Sequence, residues 1–290
     1  MSKITKLGLG IVCFEGSELI KSITAEIRNE VDYIMVCLQK KSYHGQPIDQ
    51  FDIDEIEMCK RAGLVDEIIY YEPDLSYMDV PNFDPKIPRL LETEKRNMMI
   101  DHLESVGCSH DIIIDSDEFY EYNQFKTAKQ CFNDDPDMHV SYCQYINFYR
   151  DTMHYMLWPW DSYVPFIADI KYRFVYERGT FNKPSDPTRR YFIPDEDECK
   201  HFNIFNWNTV HMNHLSWIRK DITKKLDAWS SKKFFDAVPN LREKILDRYN
   251  NYRDGLNAVI MFNTPMYQVV VNKLDKMYFR LKYRLDEKIA

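Results

Sequence analysis

Glycine is scarce, at 8 in 290 residues. So few glycines exclude long flexible linkers, and no internal repeat or low-complexity tract interrupts the chain. None of the seven cysteines (Cys13, Cys37, Cys59, Cys108, Cys131, Cys143, Cys199) stands in a C-x-x-C pair, and their number is odd. That argues against a zinc ribbon or a disulfide scaffold and for reduced, mostly buried thiols. No run approaches the roughly 20 apolar residues of a membrane span. The opening "MSKITKLGLGIVCFEGSELIK" has no small-residue cleavage site, so a cytoplasmic protein is expected. Positive charge is also lacking: the net charge is -8, a poor overall field for gripping nucleic acid.

What is present describes an ordinary globular chain, 44% hydrophobic and 29% charged, with 20 Tyr and 17 Phe. Strands are predicted at "LGLGIVCF" (7-14), "DYIMVCL" (32-38), "DEIIYYE" (66-72) and "HDIIID" (110-115), the first two of them buried. Helices are predicted between them at 17-29, 52-63 and 89-107, the last two ending at Gly63 and Gly107. Strand and helix alternating in this way predict a mainly parallel sheet flanked by helices, an α/β fold. The continuous apolar runs agree, because parallel strands are buried on both faces. Beyond residue 120 the pattern loosens. Strands are predicted at 138-150, 171-179 and 205-214, and helices at 219-231 and 240-256, with a short apolar strand and a basic aromatic tail at the end. Two parts are expected: a domain over 1-216 and a mostly helical C-terminal extension over 217-290.

The fourth strand runs straight into acids. "IIIDSDEF" places Asp115, Asp117 and Glu118 within four residues, at the strand end where open α/β sheets bind ligands. Carboxylates so close repel one another unless a positive charge joins them. Hard cations such as Mg²⁺ and Mn²⁺ take oxygen ligands of this type and leave positions open for phosphate. The bland alternative is a solvated acidic turn. The two late histidines, His211 and His214, are three residues apart, so on a strand they face opposite ways and do not chelate together.

In "VDYIMVCL" (31-38), "ETEKRN" (92-97) and "HDIIIDSDEF" (110-119) the chain resembles a family 2-type glycosyltransferase of the GT-A fold. The likeness covers about residues 7 to 120 and resumes in "HMNHLSWIRKDITKKL" (211-226). That stretch is similar to the H-x-S-[WY] and I-x-x-K-L pattern of GT-A relatives, including those resembling the bisecting N-acetylglucosaminyltransferases. The resemblance implies a UDP- or GDP-sugar donor whose diphosphate is clamped by Mn²⁺ or Mg²⁺. Asp117 would be the main ligand and His214 a further one, with His211 as fallback. Asp115 would belong to the same metal set or touch the ribose or a metal-bound water, and Ser116 lies between the two aspartates on the donor side. Imidazole together with carboxylate suits Mn²⁺.

The resemblance also marks the loop after the first strand, Phe14, Glu15 and Gly16, as donor-binding. Gln39 stands where the family often has an acid, which leaves the nucleotide open. Arg96 and Asn97 sit where relatives carry an Arg-Asn near the donor, and Arg96 has the fork that pairs with phosphate. Arg219, Lys220, Lys224 and Lys225 offer cations to a leaving diphosphate, Lys220 foremost. Each of these positions also has a structural reading, as a turn, a helix face or a charged surface.

Inverting transfer needs a carboxylate to deprotonate the acceptor. Asp195, Glu196, Asp197 and Glu198 in "IPDEDECKHF" are candidates, with Asp161 and Glu177 as rivals. The aromatic stretch "HYMLWPWDSYVPF" (154-166) fits an acceptor cleft, a packed core or a homodimer contact equally. A glycan, a protein or a small molecule are open as acceptors, a modified DNA base less so on charge. Two other functions compete. A nucleotidyltransferase usually opens with a Gly-rich loop bearing Arg or Lys, whereas "FEGSELIKS" has one glycine and no arginine. A non-catalytic nucleotide-sugar binder leaves the crowded acids without a purpose.

Overall fold

The computed structural model describes residues 3–157, 163–177, 183, 185–193, 202–218, 222–228, 230, 232, 236, 239–251 and 268–271. The first half alternates as the sequence predicts. β1 (Leu7–Cys13), α1 (Ile20–Ile27), β2 (Tyr33–Gln39), α2 (Gln50–Arg61), β3 (Glu67–Tyr71), α3 (Ile87–Ser105) and β4 (His110–Asp115) follow one another. β1 pairs in parallel with β2 and with β4, and β2 with β3. Every residue of β1 is buried, as a strand covered on both faces must be.

The two faces of β1 pack differently. Leu7, Leu9, Ile11 and Cys13 join the larger core, with Leu19, Ile20, Ile23 and Phe125. Gly8 and Gly10 point the other way, under α3. A Cβ on Gly8 would stand 2.8 Å from Leu103 Cδ2 and from Cys108 Sγ, and one on Gly10 2.7 Å from Ile113 Cδ1. The missing side chains let α3 lie close against the sheet, and α3 carries Arg96 to the end of β4.

The second half adds β5 (Glu118–Phe119), α4 (Tyr122–Asp134), β6 (Val140–Tyr149), β7 (Asp151–Leu157), β8 (Tyr163–Asp169), β9 (Arg173–Phe174), β10 (Tyr191–Phe192), β11 (Phe202–Ile204) and β12 (His211–Trp217). Helices α5 (Ile222–Ala228) and α6 (Leu241–Asn250) and strand β13 (Gln268–Val271) complete it. Among the described residues one sheet has the order β13-β7-β6-β8-β4-β1-β2-β3, with β11 and β12 beside β6 and β5 beside β12. The sheet is therefore mixed: parallel around β1, antiparallel where β8 meets β4 and where β6 meets β7 and β8. The molecule is a mixed α/β fold with a central sheet flanked by helices.

Two late predictions need correction. The strand predicted at 205-214 is displaced to His211–Trp217. Asn206 nucleates a turn there, its carbonyl accepting from the amides of Thr209 and Val210 and its side chain from that of Asn208. Of the strand predicted at 171-179, only Arg173–Phe174 is strand among the described residues 171–177. Of the helix predicted at 219-231, Ile222–Ala228 is helical, and residues 219–221, 229 and 231 lie outside the described residues. In the C-terminal part β13 joins the sheet edge by pairing with β7. No helix among the described residues is long and apolar enough to cross a membrane.

Candidate functional site

The parallel strands deliver their C-terminal ends to one place. β1 leads into Phe14-Glu15-Gly16, where Gly16 takes a left-handed φ of 79°, a turn that glycine adopts without strain. β4 leads into Asp115-Ser116-Asp117-Glu118. Ser116 stitches the two together: its hydroxyl donates to the Glu15 carbonyl at 2.6 Å and its amide to the Val12 carbonyl at 2.9 Å. The loop after β1 and the acidic turn thus form one rigid edge.

Each acid of the turn meets a cation. Asp115 accepts from Arg96 Nη2 at 2.8 and 3.2 Å, and the same nitrogen donates to Glu92 at 3.0 Å. Arg96 is wholly buried, and its Nε and Nη1 have no hydrogen-bond partner among the described residues. Glu118 is buried too and takes a two-pronged contact from Arg189, at 2.7 and 2.6 Å. Arg189 lies 4.0 Å from Asp115 and 3.4 Å from Asp186. Burial disfavours the Asp115 carboxylate, but Arg96 and Arg189 outweigh it and hold the group below its ordinary range. Arg189 is itself raised, against burial, by Glu118, Asp115 and Asp186.

Asp117 is reached from the opposite side. β12 runs antiparallel to β5, pairing His214 with Glu118, and the Leu215 amide donates to the Asp117 carbonyl at 2.8 Å. This register brings His214 Nε2 to 3.6 Å from Asp117 Oδ1. The other ring nitrogen, Nδ1, is 2.6 Å from Asn147 Oδ1. An amide oxygen only accepts, so Nδ1 donates to it, and Nε2 is the ring nitrogen turned toward the carboxylate. Lys225 of α5 places Nζ 3.1 Å from the other oxygen, Oδ2.

The remaining sequence candidates scatter. Gln39 is buried, accepts from Lys95 Nζ at 2.7 Å and donates to the Lys41 carbonyl at 2.6 Å. Asn97, expected beside the donor, instead binds the backbone of Phe174 through both ends of its amide, at 2.9 and 2.8 Å. It ties β9 to α3. His211 stacks on Trp207 at 4.3 Å between ring centroids, with Nδ1 3.1 Å from the Trp207 carbonyl. Glu177 is paired with Lys86 at 3.1 Å on the surface. Lys224 pairs with Asp49. From the aromatic stretch, Phe166 is core, packed on Tyr120, Phe125 and Phe205. Asp161, Asp195, Glu196, Asp197, Glu198, Arg219 and Lys220 lie outside the described residues.

Sequence reasoning missed Arg189, Asp186 and Asn147. Arg189 sits 71 residues from Glu118, and a lone "TRRY" gives no local signal. Among the described residues no group of three or more His, Cys, Asp or Glu side chains forms a ready metal cluster. Among the described residues of this edge, Asp117 and His214 are the side chains that could share a cation, while Asp115 turns to Arg96. Such a pair suits a hard cation that keeps several positions for phosphate and water.

No family model matches the chain, and neither does any curated protein. Among solved structures it is similar to a mycobacterial protein, with a TM-score of 0.30 and 15% identity over 49% of this chain and 41% of that one. It is also similar to TarS of S. aureus, with 0.40 and 10% over 85% and 43%. A third is the inositol-1-phosphate CTP transferase from T. maritima, with 0.36 and 10% over 80% and 97%. The chain spans less than half the length of the first two. Likeness at this level assigns neither an activity nor any residue.

Proposed function

We propose that the chain is a metal-dependent glycosyltransferase of GT-A type, moving a sugar from a nucleoside diphosphate to an acceptor hydroxyl. One observation carries the reading. At the C-terminal edge of the parallel strands, the Asp117 carboxylate faces His214 Nε2 at 3.6 Å, while Nδ1 of the same ring is engaged by Asn147. Cis ligands of an octahedral cation stand about 3.0 Å apart at metal–ligand distances of about 2.1 Å, so a cation here would draw the two atoms together by about 0.6 Å.

Asp117 and His214 would hold the cation, and Mn²⁺ suits the mixed oxygen and nitrogen pair. When bound, the metal would neutralise charge on the donor diphosphate as it leaves. The chain's own residues do the rest. Arg96 and Arg189 fix Asp115 and Glu118, so the turn keeps its shape. Ser116 fixes the turn against the donor-side loop at Glu15. Lys225, and Lys220 by the resemblance, supply further positive charge. The catalytic base is assigned to the acidic stretch Asp195-Glu196-Asp197 on the resemblance alone.

The test is a panel of UDP- and GDP-sugars incubated with the full chain in Mn²⁺ and in EDTA. Release of UDP or GDP that depends on Mn²⁺ supports the reading. Release of pyrophosphate from a nucleoside triphosphate and a sugar phosphate, with no nucleoside diphosphate formed, sinks it.

A further inference from the structure

The acid turn already has a cation of its own. The side chain of Asp117 is 6% exposed, whereas that of Asp115 is 27% exposed. The residue set to take a metal is thus the better covered of the two. What covers it includes α5. Lys225 sits on Asp117 Oδ2 at 3.1 Å, and Lys224 pairs with Asp49 and stands 4.0 Å from Asp52. Gln46 donates to the Asp227 carbonyl at 3.2 Å, while Ile222 and Leu226 are buried beneath the helix. Lys225 and His214 approach different oxygens of one carboxylate, so a cation shared by Asp117 and His214 would lie close to the Lys225 ammonium. Like charges at that range repel, the more so where water is largely excluded.

We propose that Lys225 is the resident counter-cation of Asp117, that a divalent cation entering the site must displace it, and that the displaced ammonium then pairs with the donor's diphosphate. The proposal rests on the reading of Asp117 and His214 as cation ligands. It assigns Lys225 two effects of opposite sign. Against metal alone the lysine competes for a carboxylate oxygen. With a nucleoside diphosphate present it gains an anionic partner in place of the one it lost. Charge is balanced in both states: lysine on aspartate before, metal on aspartate and lysine on phosphate after. A residue that merely held α5 in place would weaken both equilibria when removed.

The experiment is calorimetric titration of the full chain, first with MnCl₂ alone, then with UDP and with GDP at saturating Mn²⁺. Lys225→Met keeps the aliphatic stem and removes the charge; Lys225→Arg keeps the charge. For Lys225→Met the expected result is Mn²⁺ bound roughly tenfold more tightly and the diphosphate roughly tenfold more weakly, the size of one charge-assisted contact. Lys225→Arg should keep both affinities near wild type. Unchanged Mn²⁺ affinity in Lys225→Met, or a parallel loss in both titrations, overturns the role of Lys225 while leaving the metal site standing. If Mn²⁺ binds Asp117→Asn as tightly as wild type, or binds neither, the reading of the site falls and the proposal with it.

Discussion

His214 and Asp117 meet at 3.6 Å because β12 pairs with β5 in one particular register, and Asn147 fixes which nitrogen of the ring faces the carboxylate. The strand pairing sets the distance, and the amide holds Nδ1. On the proposed function the two act together, because an acceptor at Nδ1 favours the tautomer whose Nε2 can ligate a metal.

That dependence gives the first prediction. Asn147→Leu removes the acceptor for Nδ1–H and leaves the ring itself in place. Mn²⁺ affinity should fall by about 10- to 100-fold, the usual cost of losing such a supporting contact. Unchanged affinity in a folded variant would show that the amide does not orient the ring.

The buried pair of Arg189 and Glu118 gives the second. Arg189→Met strands a wholly buried carboxylate, and removing one partner of a buried pair costs about 3–5 kcal/mol. Urea denaturation should show this loss, and adding Glu118→Leu should recover much of it. A single variant as stable as wild type would mean that Glu118 is not held by the arginine.

The third concerns the packing that carries Arg96 to the site. Gly8→Ala drives a methyl group into Leu103 and Cys108 at 2.8 Å. Overpacking of this kind costs about 1–3 kcal/mol. A thermal melt equal to wild type would mean that α3 is not seated as closely as described.

The fourth is a pH dependence. Burial pushes the Asp111 carboxyl up to about 7 from 3.8, despite the hydrogen bond from Tyr191. A carboxyl raised in the folded state binds its proton more tightly there than in the unfolded chain. Its stabilising contribution is full below pH 3.8 and is lost as the pH rises through about 7. Between pH 4 and 8, the stability of wild type relative to Asp111→Asn should therefore decline. A flat difference across that range contradicts the assignment.

Much of this was legible in the sequence, and the reason is local. Continuous apolar runs mark β1, β2 and β4 because both faces of those strands are covered, and Gly63 and Gly107 punctuate α2 and α3. The acids of the DSDE turn stood out for the same reason, as charge abutting the most apolar run. What stayed hidden depends on long-range pairing. Arg189 reads as surface charge until β4 and the 185–193 segment are seen together. Asn147 looks like any polar residue on a half-buried strand until β12 lies beside β6. Asn97 was drawn to the donor by its neighbour Arg96, yet one helical step turns it toward Phe174 instead. The mixed sheet beyond β4 was unreadable in detail, since short alternating strands do not name their partners.

The most direct test of the account is the binding of Mn²⁺ itself, followed by the loss of its free-ion paramagnetic resonance signal as protein is added. Wild type should take up the ion, and more tightly with UDP or GDP present, while Asp117→Asn should leave the signal of free Mn²⁺ undiminished. Equal uptake by both proteins would contradict the claim that this carboxylate is there to hold a cation.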